Sequence, residues 1–296
     1  MASVRTAATT LPNSGFPAAD PPREFAFSES DFAFLAGLAY QRAGIALSDS
    51  KRYLVYGRLS RRLRALGLTS FGEYREHLES GDGSEIERFV NSISTNHTKF
   101  FREAHHFVHF RDSVVKTFAQ QDQKRAERRL RVWSAGCSTG EEPYTIALVL
   151  GRELADTRHD VRILATDIDT DVLAKASRGE FSAEALDNVP DPFCRCFEPI
   201  AASDPATIKV AQNVRSLVTF RPLNLVEPWP MKGPFDAIFC RNVMIYFDAS
   251  TKAKLIERFV RLIKPGGFLY IGHAESLIGS HPGLQLMGRT IYRRDA

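Results

Sequence analysis

"VWSAGCSTGEEPYTIALVL", residues 132–150, writes a strand, a turn and a helix in one stretch. The apolar lead-in ends at Gly136, Gly140 follows, and Pro143 stands in the first turn of a helical pattern. Proline is tolerated there because first-turn N–H groups have no intrahelical partner. A strand, a glycine turn and a helix N-terminus make the kind of unit that binds phosphates and nucleotides. But Glu141 and Glu142 stand where a triphosphate loop carries Lys-Ser or Lys-Thr, and G-x-G-x-x-G is absent too. Two carboxylates repel a phosphate-rich ligand. They suit one with an ammonium, a sulfonium and ribose hydroxyls, a description that fits S-adenosyl-L-methionine. For Glu141 a plainer role is equally good, since an acid at a helix start complements the helix dipole.

Downstream of this stretch, strand and helix patterns alternate. "VRILATD" reads as a second strand, 170–177 as a helix, "LVTF" as a third strand and "FDAIFC" as a fourth. A helix over 250–263, the strand "GFLYIG" and a last pair near 284–293 complete the series. Alternation of this kind predicts an α/β domain with a doubly wound, Rossmann-like parallel sheet, whose ligands sit beyond the carboxyl ends of the strands. Residues 190–216 interrupt it with Pro190, Pro192, Pro199 and Pro205, and read as an insertion.

Upstream, from Ser28 to about Val90, the grammar is helical only. Ser28 or Ser30 can cap a helix that Gly44 ends. A second helix runs from about Asp49 to Leu66 and stops at Gly67, and shorter ones follow over 70–80 and 84–93. The chain thus divides into a tail over 1–22, a helical domain over 23–93 and an α/β domain over 94–296. The tail holds Pro12, Pro17, Pro21 and Pro22 with no apolar core, so it reads as disordered rather than as a signal peptide.

Composition narrows the class. Hydrophobic residues make up 44% and charged residues 25% of the chain, ordinary values for a globular protein. No apolar run reaches the roughly 18 residues that a membrane span needs. Cys137, Cys194, Cys196 and Cys240 are too scattered for a disulfide framework or a zinc site, and read as free thiols in a reducing cytoplasm. His105 and His109 have a helical metal-ligand spacing but no third ligand, so no metal is expected.

The ends of the other strands extend the ligand argument. Asp167 closes "VRILATD" and can accept both ribose hydroxyls. Asp169 stands where the next helix begins and reads as its cap. Asn224 in "PLNL" can bond an adenine edge. Asn242 in "CRNVMIYF" suits a methionine moiety, and Tyr246 lies one helical turn on.

"NSISTNHTKFFREAHHF", "VWSAGCSTGEEPY", "ATDIDTDVL" and "FDAIFCRNVMIYFD", in this order, resemble the CheR-type chemotaxis receptor glutamate methyltransferases. The match runs from about residue 28 to 293. It implies a helical N-terminal domain, a methyltransferase domain and a small antiparallel β-subdomain inserted in the latter. It implies transfer of a methyl group from S-adenosyl-L-methionine to receptor glutamates, leaving S-adenosyl-L-homocysteine. By motif, cofactor contacts fall on Asn96, Thr98, Arg102, Glu142, Asp167, Asn224, Leu225, Arg241 and Asn242. Arg102 and Tyr246 match positions beside the transferred methyl. The implied partner is the cytoplasmic helical region of chemotaxis receptors, with the enzyme drawn to membrane arrays. Family members that also hold a receptor's C-terminal pentapeptide have a glycine-rich loop in the β-subdomain. Here "FEPIAASDPATIKV" has no glycine, which counts against such a tether.

The implied chemistry asks little of the residues. A glutamate nucleophile, with a pKa of about 4.3, is already ionised near neutral pH and needs no general base. Arg102 and Tyr246 would align its oxygens. The alternative, a catalytically silent module reporting cofactor to a signalling array, would have no use for that pair. One more stretch, "KRYLVYGRLSRRLRALG" (51–67), sets Tyr56, Leu59, Leu63 and Leu66 on one helix face and Lys51, Arg58, Arg61 and Arg62 opposite. No acid interrupts Lys51 to Arg64, so the basic charge is unpaired within this stretch. Without aromatic residues among them a nucleic-acid face is disfavoured. A solvated helix face is the plain alternative, but the resemblance implies a helical, glutamate-bearing receptor region as partner, so Arg58, Arg61, Arg62 and Arg64 are expected to hold the receptor helix.

Overall fold

Ser28 opens the first helix, α1 (Glu29–Ala43), by accepting the backbone N–H of Asp31, whose carboxylate takes the N–H of Ser28 in return. Gly44 closes it in the left-handed region at φ 71°. In this computed structural model, residues 24–81, 83–120, 129–154, 159–200, 206–275, 277 and 282–295 are described. The tail over 1–22 lies outside them. After a short 3-10 turn come α2 (Arg52–Leu66), α3 (Phe71–Glu79) and α4 (Gly83–Ile93). They share one core: Leu35 and Ala39 of α1, Leu59 and Leu63 of α2, Tyr74 of α3 and Phe89 of α4 are all essentially out of water.

The second core forms around the sheet. A segment of α5 (His105–His109), a π-helical stretch over Phe110–Val115 and α6 (Lys116–Gln120) leads into β1 (Arg129–Ala135). Then follow α7 (Glu141–Glu153), β2 (Asp160–Asp167), α8 (Thr170–Arg178), β3 (Glu180–Ser182), α9 (Asp191–Cys194), β4 (Phe197–Pro199), β5 (Thr207–Val210) and α10 (Gln212–Arg215). The chain ends through β6 (Val218–Pro222), β7 (Phe235–Cys240), α11 (Ala249–Leu262), β8 (Ile263–Ile271), β9 (Leu284–Gly288) and β10 (Ile291–Arg294).

The main sheet has the order β6-β2-β1-β7-β8-β10-β9. Its first five strands are parallel, whereas β10 runs antiparallel to both β8 and β9. The sheet is therefore mixed, because the final hairpin returns without a crossover helix. β7 is buried along its whole length, as an apolar strand covered on both faces must be, and its one acid, Asp236, is held by the Arg131 N–H and Lys264. The small sheet, β3-β5-β4, is antiparallel. Its first strand starts at Glu180, upstream of the stretch 190–216 in which the sequence shows the insertion. Three residues directly after a helix carry no periodicity to reveal a strand. Phe100 packs edge-on against Phe181 of β3 and Phe197 of β4, joining the small sheet to the main core.

Candidate cofactor and acceptor site

Four adjacent strands, β6, β2, β1 and β7, deliver their carboxyl ends to one cleft. After β1 the chain turns at Gly136, φ 83°, and its N–H and that of Cys137 both donate to Thr166 O at the end of β2. A Cβ on Gly136 would collide with Val243 Cγ2 from the loop after β7, so only glycine allows the two loops to meet. Ser138 follows at φ 50°, its N–H held 2.7 Å from Asp167 Oδ2. Asp167 Oδ1 accepts the N–H of Asp169 at 3.0 Å. Burial raises the Asp167 carboxyl pKa, and those two N–H groups oppose the rise. Asp169 caps α8, accepting from Asp171 and Val172, as its position in the sequence suggests.

The cleft offers about 970 Å³ of space, counting the part open to solvent. Asn96, Thr98, Arg102, Glu142, Asp167, Asn224, Leu225, Arg241, Asn242 and Tyr246 all line it. The sequence did not point to Ala43 and Ile45 of the helical domain, to Lys99, or to Val243, which line it too. Ala43 and Ile45 are apolar residues around a helix end, and nothing in their spacing sets them apart from ordinary core.

Several of the residues carry loads within the fold that differ from those expected of them. Glu142 takes a hydrogen bond from Ser134 Oγ at 2.7 Å and one from Arg241 Nη1 at 3.0 Å, so both its oxygens are engaged. Burial raises its pKa, opposed by Arg241. Arg241 also donates to Arg102 O and lies 3.5 Å from Glu103 Oε2. It is a strut under the Arg102 backbone, which is flanked by Phe101 at φ 52° and Glu103 at φ 55°. Left-handed non-glycine residues on both sides of one arginine need such outside support. The Arg102 side chain donates to His97 O at 2.8 Å, leaving other N–H groups of its fork for a ligand.

Asn224 donates to Arg42 O at 2.7 Å and to Glu227 Oε1 at 3.0 Å. Both its amide hydrogens are used inside the fold, so its side chain has no N–H left for an adenine edge. Asn96 likewise donates to Asp169 Oδ2 at 2.6 Å, while its carbonyl takes Ser138 Oγ. Tyr246 is fixed through its backbone, accepting the Ala46 N–H at 2.8 Å, and it packs against the helical-domain core. His105 and His109 face different partners, Arg289 O and Tyr270 Oη. His106, wholly buried, has its pKa lowered to about 3 by burial and the nearby Arg241.

Much of the basic face of α2 is engaged within the fold. Arg62 binds Glu85 of α4 through two hydrogen bonds, at 3.1 and 2.5 Å. Arg64 pairs with Glu24 at 2.5 Å. Arg58 donates to Ile93 O, Ser94 O and Thr95 Oγ1 at 2.5, 2.9 and 3.0 Å, closing the C-terminal end of α4. The acids and carbonyls that engage these arginines belong to other elements, so reading one helix alone could not show them. Arg61 is exposed.

Residues 30–94 match a family described as "CheR methyltransferase, all-alpha domain", and residues 96–293 one described as "CheR methyltransferase, SAM binding domain". The chain belongs to the CheR methyltransferase family. A "Chemotaxis protein methyltransferase" of Escherichia coli (strain K12) is 45% identical over 270 residues, covering 90% of this chain and 91% of that one. A "Chemotaxis protein methyltransferase 2" of Pseudomonas aeruginosa (strain PAO1) is 43% identical over 272 residues, covering 91% and 95%. The cleft thus sits in the SAM-binding domain of a methyltransferase, roofed by the family's all-alpha domain. No helix among the described residues is long and apolar enough to cross a membrane.

Proposed function

We propose that this chain transfers a methyl group from S-adenosyl-L-methionine to glutamate side chains in the cytoplasmic helical region of chemotaxis receptors, forming methyl esters, and that it works in the cytoplasm at receptor arrays. The observation that supports this most is the convergence of the ten motif-assigned residues on one cleft, Arg102 and Tyr246 among them. A reading as a silent cofactor reporter finds no support in relatives named as methyltransferases.

The cleft fits the cofactor in chemistry. The Asp167 carboxylate accepts backbone N–H groups and still has lone pairs for ribose hydroxyls. The side-chain-free Gly136 turn lets a ligand come close to the backbone, and Asn242 presents a neutral amide. For the adenine, the backbone of Asn224 and Leu225 remains the available edge. When bound, the cofactor supplies a methyl group on a positively charged sulfur.

The chain's residues do the aligning. Lys99 and Arg102 at the cleft attract an anionic acceptor, while the Glu142 charge is balanced by Arg241 beneath. Arg102 would hold one acceptor oxygen and the Tyr246 hydroxyl the other, and positioning of this kind is worth several powers of ten in rate. The helical domain excludes water on one side, which strengthens these contacts. A tritiated-methyl transfer assay with receptor-rich membranes tests the reading: base-labile label on receptor is expected, and label absent or base-stable would refute it.

A further inference from the structure

Glu275 lies on the loop after β8, outside every sequence motif considered above, yet it is only 6% exposed. Its Oε2 accepts the backbone N–H of Asn242 at 2.7 Å and of Gly272 at 2.6 Å, and its Oε1 accepts that of Ile245 at 3.1 Å. Burial raises its pKa, and the N–H groups of Asn242, Gly272, Ile245 and Met244 oppose the rise. The carboxylate sits in a nest of backbone donors drawn from two loops.

What it holds is the cleft wall. Asn242 stands at φ 59°, where a non-glycine residue needs support, and Met244–Tyr246 is a single 3-10 turn closed by two backbone bonds, Tyr246 N–H to Val243 O and Phe247 N–H to Met244 O. Asn242, Val243, Tyr246 and Phe247 of this segment all line the cleft. Gly272 lets the two loops close, since a Cβ there would lie 2.7 Å from both Asn242 N and Glu275 Oε2. We infer that Glu275 is a positioning residue for methyl transfer: it fixes the Asn242–Tyr246 segment, and through it the cofactor and acceptor contacts, without touching either ligand. The inference rests on the reading of Tyr246 and Asn242 given above.

Glutamine is the informative replacement. It keeps the volume but has one acceptor oxygen, and it turns an NH2 toward a backbone N–H. In Glu275→Gln, single-turnover methylation of receptor at saturating cofactor should fall about 30-fold or more, because small displacements at a reacting centre cost that much. Tyr246→Phe should then add less than about twofold in this background, although it costs its full penalty in the wild type. Calorimetry with S-adenosyl-L-homocysteine should show the same non-additivity for Asn242→Ala. A folded Glu275→Gln with a rate within about twofold of wild type, or fully additive effects in both cycles, overturns the inference. If Tyr246→Phe is silent in the wild type, the assignment of Tyr246 fails by itself, and Glu275 is judged on the Asn242 binding cycle. Should Glu275→Gln not fold, Glu275→Asp, which keeps the charge but retracts it by a methylene, carries both comparisons.

Discussion

Arg62–Glu85 in the helical domain and Arg241–Glu142 under the cleft use the same partners, each with a hydroxyl donor to the carboxylate, Tyr74 in one and Ser134 in the other. Their geometry differs. Arg62 meets Glu85 through a two-bond fork, with the carboxylate sealed in and the arginine 18% exposed. Arg241, 2% exposed, gives Glu142 one bond and divides the rest between the Arg102 carbonyl and Glu103, with its Nε left buried and without a partner. A complete fork closes a core. A divided guanidinium ties several segments together and leaves the carboxylate at the edge of a cavity. One pair is a rivet and the other a strut.

That distinction can be broken by experiment. The largest effect is expected from Arg62→Ala, which leaves the Glu85 carboxylate buried with Tyr74 as its remaining side-chain donor. It should lower unfolding free energy by about 3 kcal/mol while S-adenosyl-L-homocysteine affinity stays within about threefold. Denaturant titration and calorimetry on one preparation check this, and a loss of affinity as large as the loss of stability would make Arg62 part of the site.

Next is Asp167→Ala, which should cost about 2–3 kcal/mol of cofactor affinity, since it strands ribose hydroxyls and frees the Ser138 N–H. Asp169→Ala should cost about 1 kcal/mol, mainly in stability, through the lost cap of α8. Equal effects of the two on binding would refute this division along the end of β2.

Arg58→Ala follows. Its fork closes α4 just before Asn96 and Thr98 enter the cleft, so about 1 kcal/mol of stability should go, with a severalfold weaker cofactor affinity. Arg58→Lys should rescue little, because one ammonium cannot reproduce the fork. Unchanged cofactor affinity with poorer receptor methylation would return Arg58 to receptor docking. Arg61→Ala is expected to be mildest. It should reduce receptor methylation about two- to threefold near 50 mM salt and hardly at all near 300 mM, as screening removes the contribution of an exposed charge. A salt-independent loss would count against docking through Arg61.

What could be read ahead of the structure follows the same line between local and distant. The turn from Gly136 to Gly140 and the cap at Asp169 declare themselves because each acts within a few residues of its own position, and Asp167 does so by standing at the end of a strand. Asn96, Thr98 and Arg102 became legible only through the order of motifs, not through any spacing with Asp167. Glu275 was silent because the N–H groups it gathers include two from residues about thirty positions earlier, and no helix or strand periodicity links them. The partners of the α2 arginines were hidden for the same reason, since Glu24 and Glu85 belong to neighbouring segments. That the Asn224 side chain also ties two domains together was hidden until Arg42 arrived from the helical one.

The bonds that cross between the domains lead further. Ala46 N–H holds the Tyr246 carbonyl, Tyr40 bonds Asp248, Asn224 bonds Arg42, and Ala43 and Ile45 line the cleft. The helical domain is therefore not an interchangeable recognition head. A chimera that exchanged residues 24–93 for a domain of different receptor preference would also exchange a wall of the cofactor cleft, unless the donor supplied equivalents of Ala43, Ile45 and Ala46. Any redesign of the helical domain has to carry this wall of the cleft with it.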